Sequence, residues 1–434
     1  MRVEYDEPYR PVYHFSPYFG WTNDPNGLVY KDGEWHLSYQ YNPYGTTHGN
    51  MHWGHATSPD MIHWTQQPTA LFPDEMGTMF SGSGIIDEEG RAGFGAGAAL
   101  FFYTAAGGNS RRSAGAPFTQ CLAYSTDGGK TLVKYEGNPV IPHIVGANRD
   151  PKVIRCEELG KYVCALYLDG NTYGLLTSDN FLDWTLIQKI DLPGDAECPD
   201  FYPLNVENEP GVRKWILSGA SAKYYVGDIT DGQFVPCQEV RAMHTGSLGY
   251  AAQTYSLTDD SRRINVSWER VNFPGNVPFC SQMGIPATHV LRRGEDGYYL
   301  HASPVKEAKK LRGTAYALEE TENGFAAVLF DTANELSLTV PAAGGEIRIS
   351  MLGFTVVIDR EKLEARLGSQ VIPLGCVDGR IKVRMYTDTC SLELFTEAYY
   401  ACFAVTADEN LLQLTLEGES EADLYVWPLA HIHS

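Results

Sequence analysis

Three carboxylates occupy settings in which an acid has chemistry open to it. Asp24 lies in Trp21-Thr22-Asn23-Asp24-Pro25-Asn26-Gly27, Asp150 in Asn148-Arg149-Asp150-Pro151, and Glu197 in Asp195-Ala196-Glu197-Cys198-Pro199-Asp200. Read singly, each has a plain alternative: an Asx turn, a surface ion pair or a solvated loop. Brought to one place they would suit cleavage of a glycosidic bond. One ionised acid attacks the anomeric carbon or steadies an oxocarbenium-like state, while a protonated one gives its proton to the leaving oxygen. Burial and mutual repulsion would push the pKa values apart, so that both roles run together.

That chemistry demands a scaffold that gathers segments remote in the chain. Long helical periodicity is nearly absent. Short alternating or apolar runs such as GLVY, LFFYTA, YVCALYL and KWILSG are bounded by Gly, Pro, Asn and Asp, which marks an all-β chain. Residues 56–64 (ATSPDMIHW), 123–135 (AYSTDGGKTLVKY) and 176–184 (LTSDNFLDW) share one pattern: a strand ending in Ser58, Ser125 or Ser178, an Asp-containing turn, then an aromatic. A hairpin recurring at this period predicts β-propeller blades, roughly five in the first 300 residues. The innermost strand of each blade lines a central channel, so acids on separate blades could meet there. After His301 the texture changes. Residues 303–313 (SPVKEAKKLRG) read as a short helix or linker. Ile347, Ile349 and Met351, then Ile381, Val383 and Met385, alternate as in a half-buried antiparallel sheet. The expected organisation is a propeller over 1–302, a linker over 303–315 and a β-sandwich over 316–434.

Composition narrows the partners. The net charge of −21 repels phosphate backbones and anionic lipids, so neither nucleic acid nor a membrane is expected, and a neutral ligand fits best. The nine cysteines form no CxxC pair, and the N-terminal residues lack the apolar run of a signal peptide; both point to a cytoplasmic protein. His48, His52, His55 and His63 lack the spacing of a metal-binding helix, and Gly93–Gly97 is not followed by the Lys of a P-loop. No metal or cofactor is expected. Cys198 would point away from a pocket that Glu197 faces, if the segment is extended.

The motifs, in order, resemble those of the family 32 glycoside hydrolases, the β-fructosidases that include invertases, exo-inulinases and levanases. WTNDPNGL is similar to that family's WMNDPNG block. QYNP at 40–43, WGHA at 53–56 with Ser58, Phe80-Ser81-Gly82-Ser83, Arg149-Asp150-Pro151 and Glu197-Cys198-Pro199 follow. YAAQT at 250–254 and Asp388–Glu393 complete the set, which covers essentially the whole chain. The resemblance implies a five-bladed propeller followed by a β-sandwich. It implies Asp24 as the nucleophile on C2 of a β-fructofuranosyl unit, Glu197 as acid and then base, and Asp150, oriented by Arg149, as stabiliser of the transition state. Asn23, Gln40, Phe80 and Ser81 would contact the fructosyl ring, and turnover would retain configuration.

Some positions depart from that pattern. Thr22 replaces a larger apolar residue, His48 stands where many relatives carry a pocket-lining Trp, Pro286 is followed by Ala287 rather than Arg, and LFTEA lacks the usual Asn and Asp. These bear on substrate preference more than on the reaction. The leading expectation is a hydrolase of sucrose or short fructans. The alternatives are a fructosyltransferase, an inverting arabinan- or xylan-active relative, and a non-catalytic fructan-binding protein. The sandwich is expected either to brace the propeller or to assist a homo-oligomer.

Overall fold

The computed structural model describes residues 5–256 and 261–432. Up to Pro304 the chain forms five antiparallel sheets, each built on four consecutive major strands. Sheet I comprises Gly20–Lys31, Glu34–Asn42, His52–Ser58 and Thr65–Leu71; sheet II comprises Thr78–Asp87, Ala98–Ala106, Phe118–Ser125 and Val133–Lys134. Sheet III comprises Arg149–Cys156, Lys161–Asp169, Thr172–Ser178 and Thr185–Asp191. Sheet IV comprises Asp200–Asn205, Arg213–Ser218, Lys223–Thr230 and Gln233–Pro236; sheet V comprises Gly249–Thr254, Arg263–Glu269, Ala287–Gly294 and Gly297–Pro304. The sequence repeat has a structural origin. Ser58, Ser125 and Ser178 each end the third strand of their sheet, and each hydroxyl donates to the side chain two residues on: Asp60 at 3.3 Å, Asp127 at 2.7 Å and Asn180 at 3.2 Å.

The first strands of consecutive sheets lie against one another, and that of sheet V returns to sheet I. Side chains stitch this ring together. Asn26 Oδ1 accepts from Gly82 N (3.1 Å), Ser83 Oγ accepts from Val153 N (2.9 Å), and Asp200 Oδ2 accepts from Thr254 N (2.7 Å). Lys152, fully buried, pairs with Asp200 Oδ1 at 3.2 Å and donates to the Thr254 carbonyl. A buried ammonium is tolerated only with such partners.

WTNDPNG, expected as a turn, runs inside the long first strand Gly20–Lys31. The strand slips register against its neighbour between Thr22 and Pro25 and again between Asn26 and Val29. Two bulges replace a chain reversal because Pro25 has no N–H to lose from the ladder and Gly27 adopts φ 54°. A Cβ at Gly27 would lie 2.9 Å from the Trp53 ring, so only glycine fits there.

The remaining chain, with one short strand at 244–246 added, builds two sheets. A six-stranded one runs in the order 244–246, 400–404, 391–396, 380–387, 334–341 and 423–428; a seven-stranded one includes Glu346–Met351, Phe354–Asp359 and Gln413–Glu417. The alternating residues Ile347, Ile349, Met351, Ile381, Val383 and Met385 share one core with Leu336, Leu338 and Leu416, so the two sheets pack face to face. The expected helix over 303–313 is a short 3-10 stretch, Lys306–Leu311, which buries Ala308 and Leu311.

The two parts meet at a buried charged seam. His14 Nδ1 lies 2.8 Å from Asp388 Oδ2, and its Nε2 lies 2.8 Å from Glu393 Oε2. Glu269, from sheet V, accepts from Gln282 Nε2 (2.6 Å) and the Cys402 thiol (2.7 Å), while Tyr400 donates to Glu393 Oε1 (2.5 Å). Burial, then the facing Glu393 charge, push the Glu269 carboxyl up to about 8. For His14, hydrogen bonds to Asp388 and Glu393 overcome burial and hold the ring above its ordinary value. Ligand atoms of His14, Glu269 and Glu393 lie within 4.8 Å of one another, but both ring nitrogens face carboxylate oxygens, the geometry of an imidazolium ion pair.

Candidate active site

The site is built where the first strands break their own regularity. In sheet I, Asn23 and Asp24 fall in the register shift between Thr22 and Pro25; in sheet II, Ser81 falls in the shift between Phe80 and Gly82. In sheet III, Asp150 and Pro151 intervene between the pairs Tyr167–Arg149 and Ala165–Lys152; in sheet V, a shift follows Tyr250. A bulge turns a strand and re-aims its side chains. Asp150 (φ 65°), Glu197 (φ 58°), Cys198 (φ 36°) and Ala251 (φ 52°) all carry left-handed backbone, which costs an L-residue on the order of 1 kcal/mol each. Such strain persists only where the surroundings over-determine it.

These devices bring the three acids together. Cys198 Sγ sits 3.4 Å from Asp24 Oδ2 and 3.5 Å from Asp150 Oδ2, and Cys198 N donates to Asp150 Oδ2 at 3.0 Å. Arg149 joins the other two: its NH2 donates to Glu197 Oε1 at 2.6 Å, and its Nε lies 3.8 Å from Asp150 Oδ2. Asp24 also accepts from Ser81 Oγ (2.5 Å) and Asn23 Nδ2 (3.1 Å).

The acids do not share one electrostatic setting. Burial pushes Asp150 up to about 7, with Arg149 opposing and the Asp24 charge adding. Burial also raises Asp24, against the hydrogen bonds from Ser81, Asn23 and Cys198. Glu197 goes the other way. Burial raises it, but hydrogen bonds from Tyr250 and Arg149 outweigh that and leave it below its ordinary value.

Of the other expected residues, Asn23, Ser81 and Arg149 contact these acids directly. Asn23 holds Asp24 and accepts from Trp21 Nε1 at 2.8 Å. Gln40 is buried, its Nε2 without a partner among the described residues, beside Thr22, whose hydroxyl donates to the Gln40 carbonyl (3.1 Å). Arg149 lies over the Tyr167 ring at 4.6 Å. His48 is exposed at the rim, edge-on to Trp21 (6.2 Å) and to Phe80 (5.9 Å), and close enough to lower the Glu197 pKa. Phe80 in turn meets Phe118 at 5.7 Å.

One expectation is corrected and several residues are new. Cys198 does not point away: left-handed backbone at 197 and 198 abolishes strand alternation and turns the thiol onto Asp24 and Asp150. Tyr250 donates to Glu197 Oε2 at 2.7 Å and meets Trp268 edge-on at 6.2 Å; Trp268 also meets Trp21 at 6.0 Å. The YAAQT block carries Tyr250, but nothing in its pattern says that the phenol reaches Glu197.

Residues 14–302 match the family model described as glycosyl hydrolases family 32 N-terminal domain. A levanase of Bacillus subtilis (strain 168) is 33% identical over 450 residues, covering 90% of this chain and 65% of that protein. The chain spans 48% and 31% of the length of two further curated relatives, a levanase of Bacillus sp. (strain L7) and a fructan beta-fructosidase of Streptococcus mutans. Among solved structures, the exo-inulinase of Aspergillus awamori superposes with a TM-score of 0.86 at 23% identity, covering 99% of this chain and 100% of that one. At that identity the likeness establishes the fold, whereas the family match spans most of the chain. The chain therefore belongs to the glycosyl hydrolases family 32.

Proposed function

We propose that the chain is a retaining β-fructofuranosidase releasing fructose from sucrose or short β-fructans. Its five sheets are read as the blades of a five-bladed β-propeller over 1–302, joined through 303–315 to a β-sandwich over 316–434. The ring of first strands and the shared core of the two C-terminal sheets support that reading. The observation that carries the function is the meeting of carboxylates from the first strands of sheets I and III and from the segment before sheet IV, two sharing the Cys198 thiol and two sharing Arg149. The names levanase, exo-inulinase and fructan beta-fructosidase among its relatives agree with it.

In this mechanism Asp24 attacks C2 of the fructosyl unit while Glu197 protonates the departing oxygen. Glu197 then takes a proton from water, which releases fructose with its configuration retained. Asp150 and the unpartnered Gln40 amide bind the fructose hydroxyls. The electrostatics of these acids run opposite to what the first step needs, since Asp24 is raised and Glu197 lowered. A sugar that excludes water from Glu197 disfavours its charged form and moves the pair towards the required state.

Incubation with sucrose, kestose, inulin and levan, followed by NMR, tests the reading. Free fructose is expected, appearing first as the β-anomer. Longer oligosaccharides at high sucrose would make it a transferase, and binding to all four without product would overturn it.

The Tyr250 hydrogen bond favours ionised Glu197, so Tyr250→Phe should raise the Glu197 pKa. Because Glu197 lies lowered and Asp24 raised in the free enzyme, the acid limb of kcat/KM reports Glu197, and that limb should move to higher pH, by about one unit for a hydrogen bond to a charged group. The limb is measured on sucrose from about pH 2.5 to 8, a range that extends below the ordinary carboxylate value.

A further inference from the structure

Glu197 and Cys198 are successive non-glycine residues in left-handed backbone, and no strand pairing holds them, because the strand of sheet IV begins only at Asp200. What holds them is a mould centred on Asp195. This carboxylate is buried. Its Oδ1 accepts from Ala196 N (2.8 Å) and Ser221 N (2.9 Å), and its Oδ2 accepts from Lys223 N (3.0 Å). It thereby ties the segment carrying Glu197 to the turn between the second and third strands of sheet IV. From sheet III, Asn171 Nδ2 donates to the Asp195 carbonyl (2.8 Å), and the Tyr173 hydroxyl donates to the Glu197 carbonyl (3.1 Å). Gly219 lets the parts close: a Cβ there would lie 2.4 Å from the Tyr173 hydroxyl and 2.6 Å from Asp195 Cγ.

We propose that Asp195 is a positioning residue for the acid/base step, fixing the turn 195–198 so that the Glu197 carboxyl stands over the leaving oxygen. The proposal rests on the reading of Glu197 as the acid/base. Asp195 touches no substrate. A carboxylate suits the task because it accepts three backbone N–H groups from two segments at once, while an Asn side chain offers one carbonyl oxygen and turns an NH2 towards the remaining donors. Misplacement by about 1 Å can cost on the order of 100-fold in rate.

The test compares Asp195→Asn with the parent chain on two donors: sucrose, whose leaving group needs a proton, and an aryl β-fructofuranoside, whose leaving group does not. On sucrose, kcat/KM should fall about 10- to 100-fold, whereas on the aryl donor it should stay within about threefold. Asn171→Ala, truncating an exposed side chain that holds the same turn, should repeat the selectivity at smaller size and keeps the question answerable if Asp195→Asn does not fold. Equal losses on both donors, or no loss on sucrose, would overturn the proposal. Glu197→Gln run alongside separates the two claims. If it lacks leaving-group selectivity, the acid/base reading fails; if it has selectivity and neither positioning variant does, only the role of Asp195 falls.

Discussion

Asp24→Asn should be inactive on every donor, sucrose and aryl fructoside alike. The loss should be on the order of 10⁵-fold, the scale seen when a covalent nucleophile is removed. The structure argues for a loss of chemistry rather than of fold. Asp24 is held by Ser81 Oγ and Asn23 Nδ2 in a bulge that an amide can occupy, so the thermal midpoint should change little. The pH profile of the unaltered chain provides a second check. Burial lifts the folded pKa of Asp24 while Glu197 lies lowered, so Asp24 governs the alkaline limb of kcat/KM, which should lie above the ordinary carboxylate range. A limb at or below that range, or turnover in Asp24→Asn, would reject this residue as nucleophile.

Glu197→Gln should cost roughly 10²- to 10⁴-fold in kcat/KM on sucrose, the usual worth of a general acid. The aryl donor should keep most of its kcat/KM, because its bond breaks unaided, but its kcat should fall because water then lacks a base. A fructosyl adduct should accumulate on the peptide containing Asp24, visible by mass spectrometry after quenching, and added azide should restore kcat. Unchanged sucrose turnover would remove Glu197 from the mechanism.

Much of this site was legible in the chain. Asp24, Asp150 and Glu197 are flagged by residue type and motif order, and the serines at 58, 125 and 178 announce the repeating sheet. What escaped has a common cause. The direction of a side chain in a strand is inferred from alternation, and at this site alternation fails. The register shifts at Asn23-Asp24, Ser81 and Asp150, and the left-handed pair Glu197-Cys198, re-aim the side chains that matter. Alternation puts Cys198 on the wrong side for this reason, and local pattern marks Asp195 only as a loop acid, since its three donors include the amides of Ser221 and Lys223. Hydrogen bonds from Tyr250 to Glu197 and from Tyr173 to the Glu197 carbonyl depend on how neighbouring sheets are set side by side, which no local pattern records.

The seam around His14 makes the two parts inseparable in manufacture. A chain stopped at Pro304 would strip His14 of both carboxylates and leave Glu269 without the Cys402 thiol, while the detached remainder would carry Glu393 and Asp388 with no cation against them. The cut would also bare the apolar surface that Tyr13, Phe15 and Met283 share with Tyr386, Phe395 and Tyr400, and an exposed patch of that kind drives self-association. The stretch that the family model recognises, 14–302, thus ends inside a shared core, and a chain cut to those residues should elute as aggregate in size-exclusion chromatography where the full chain does not.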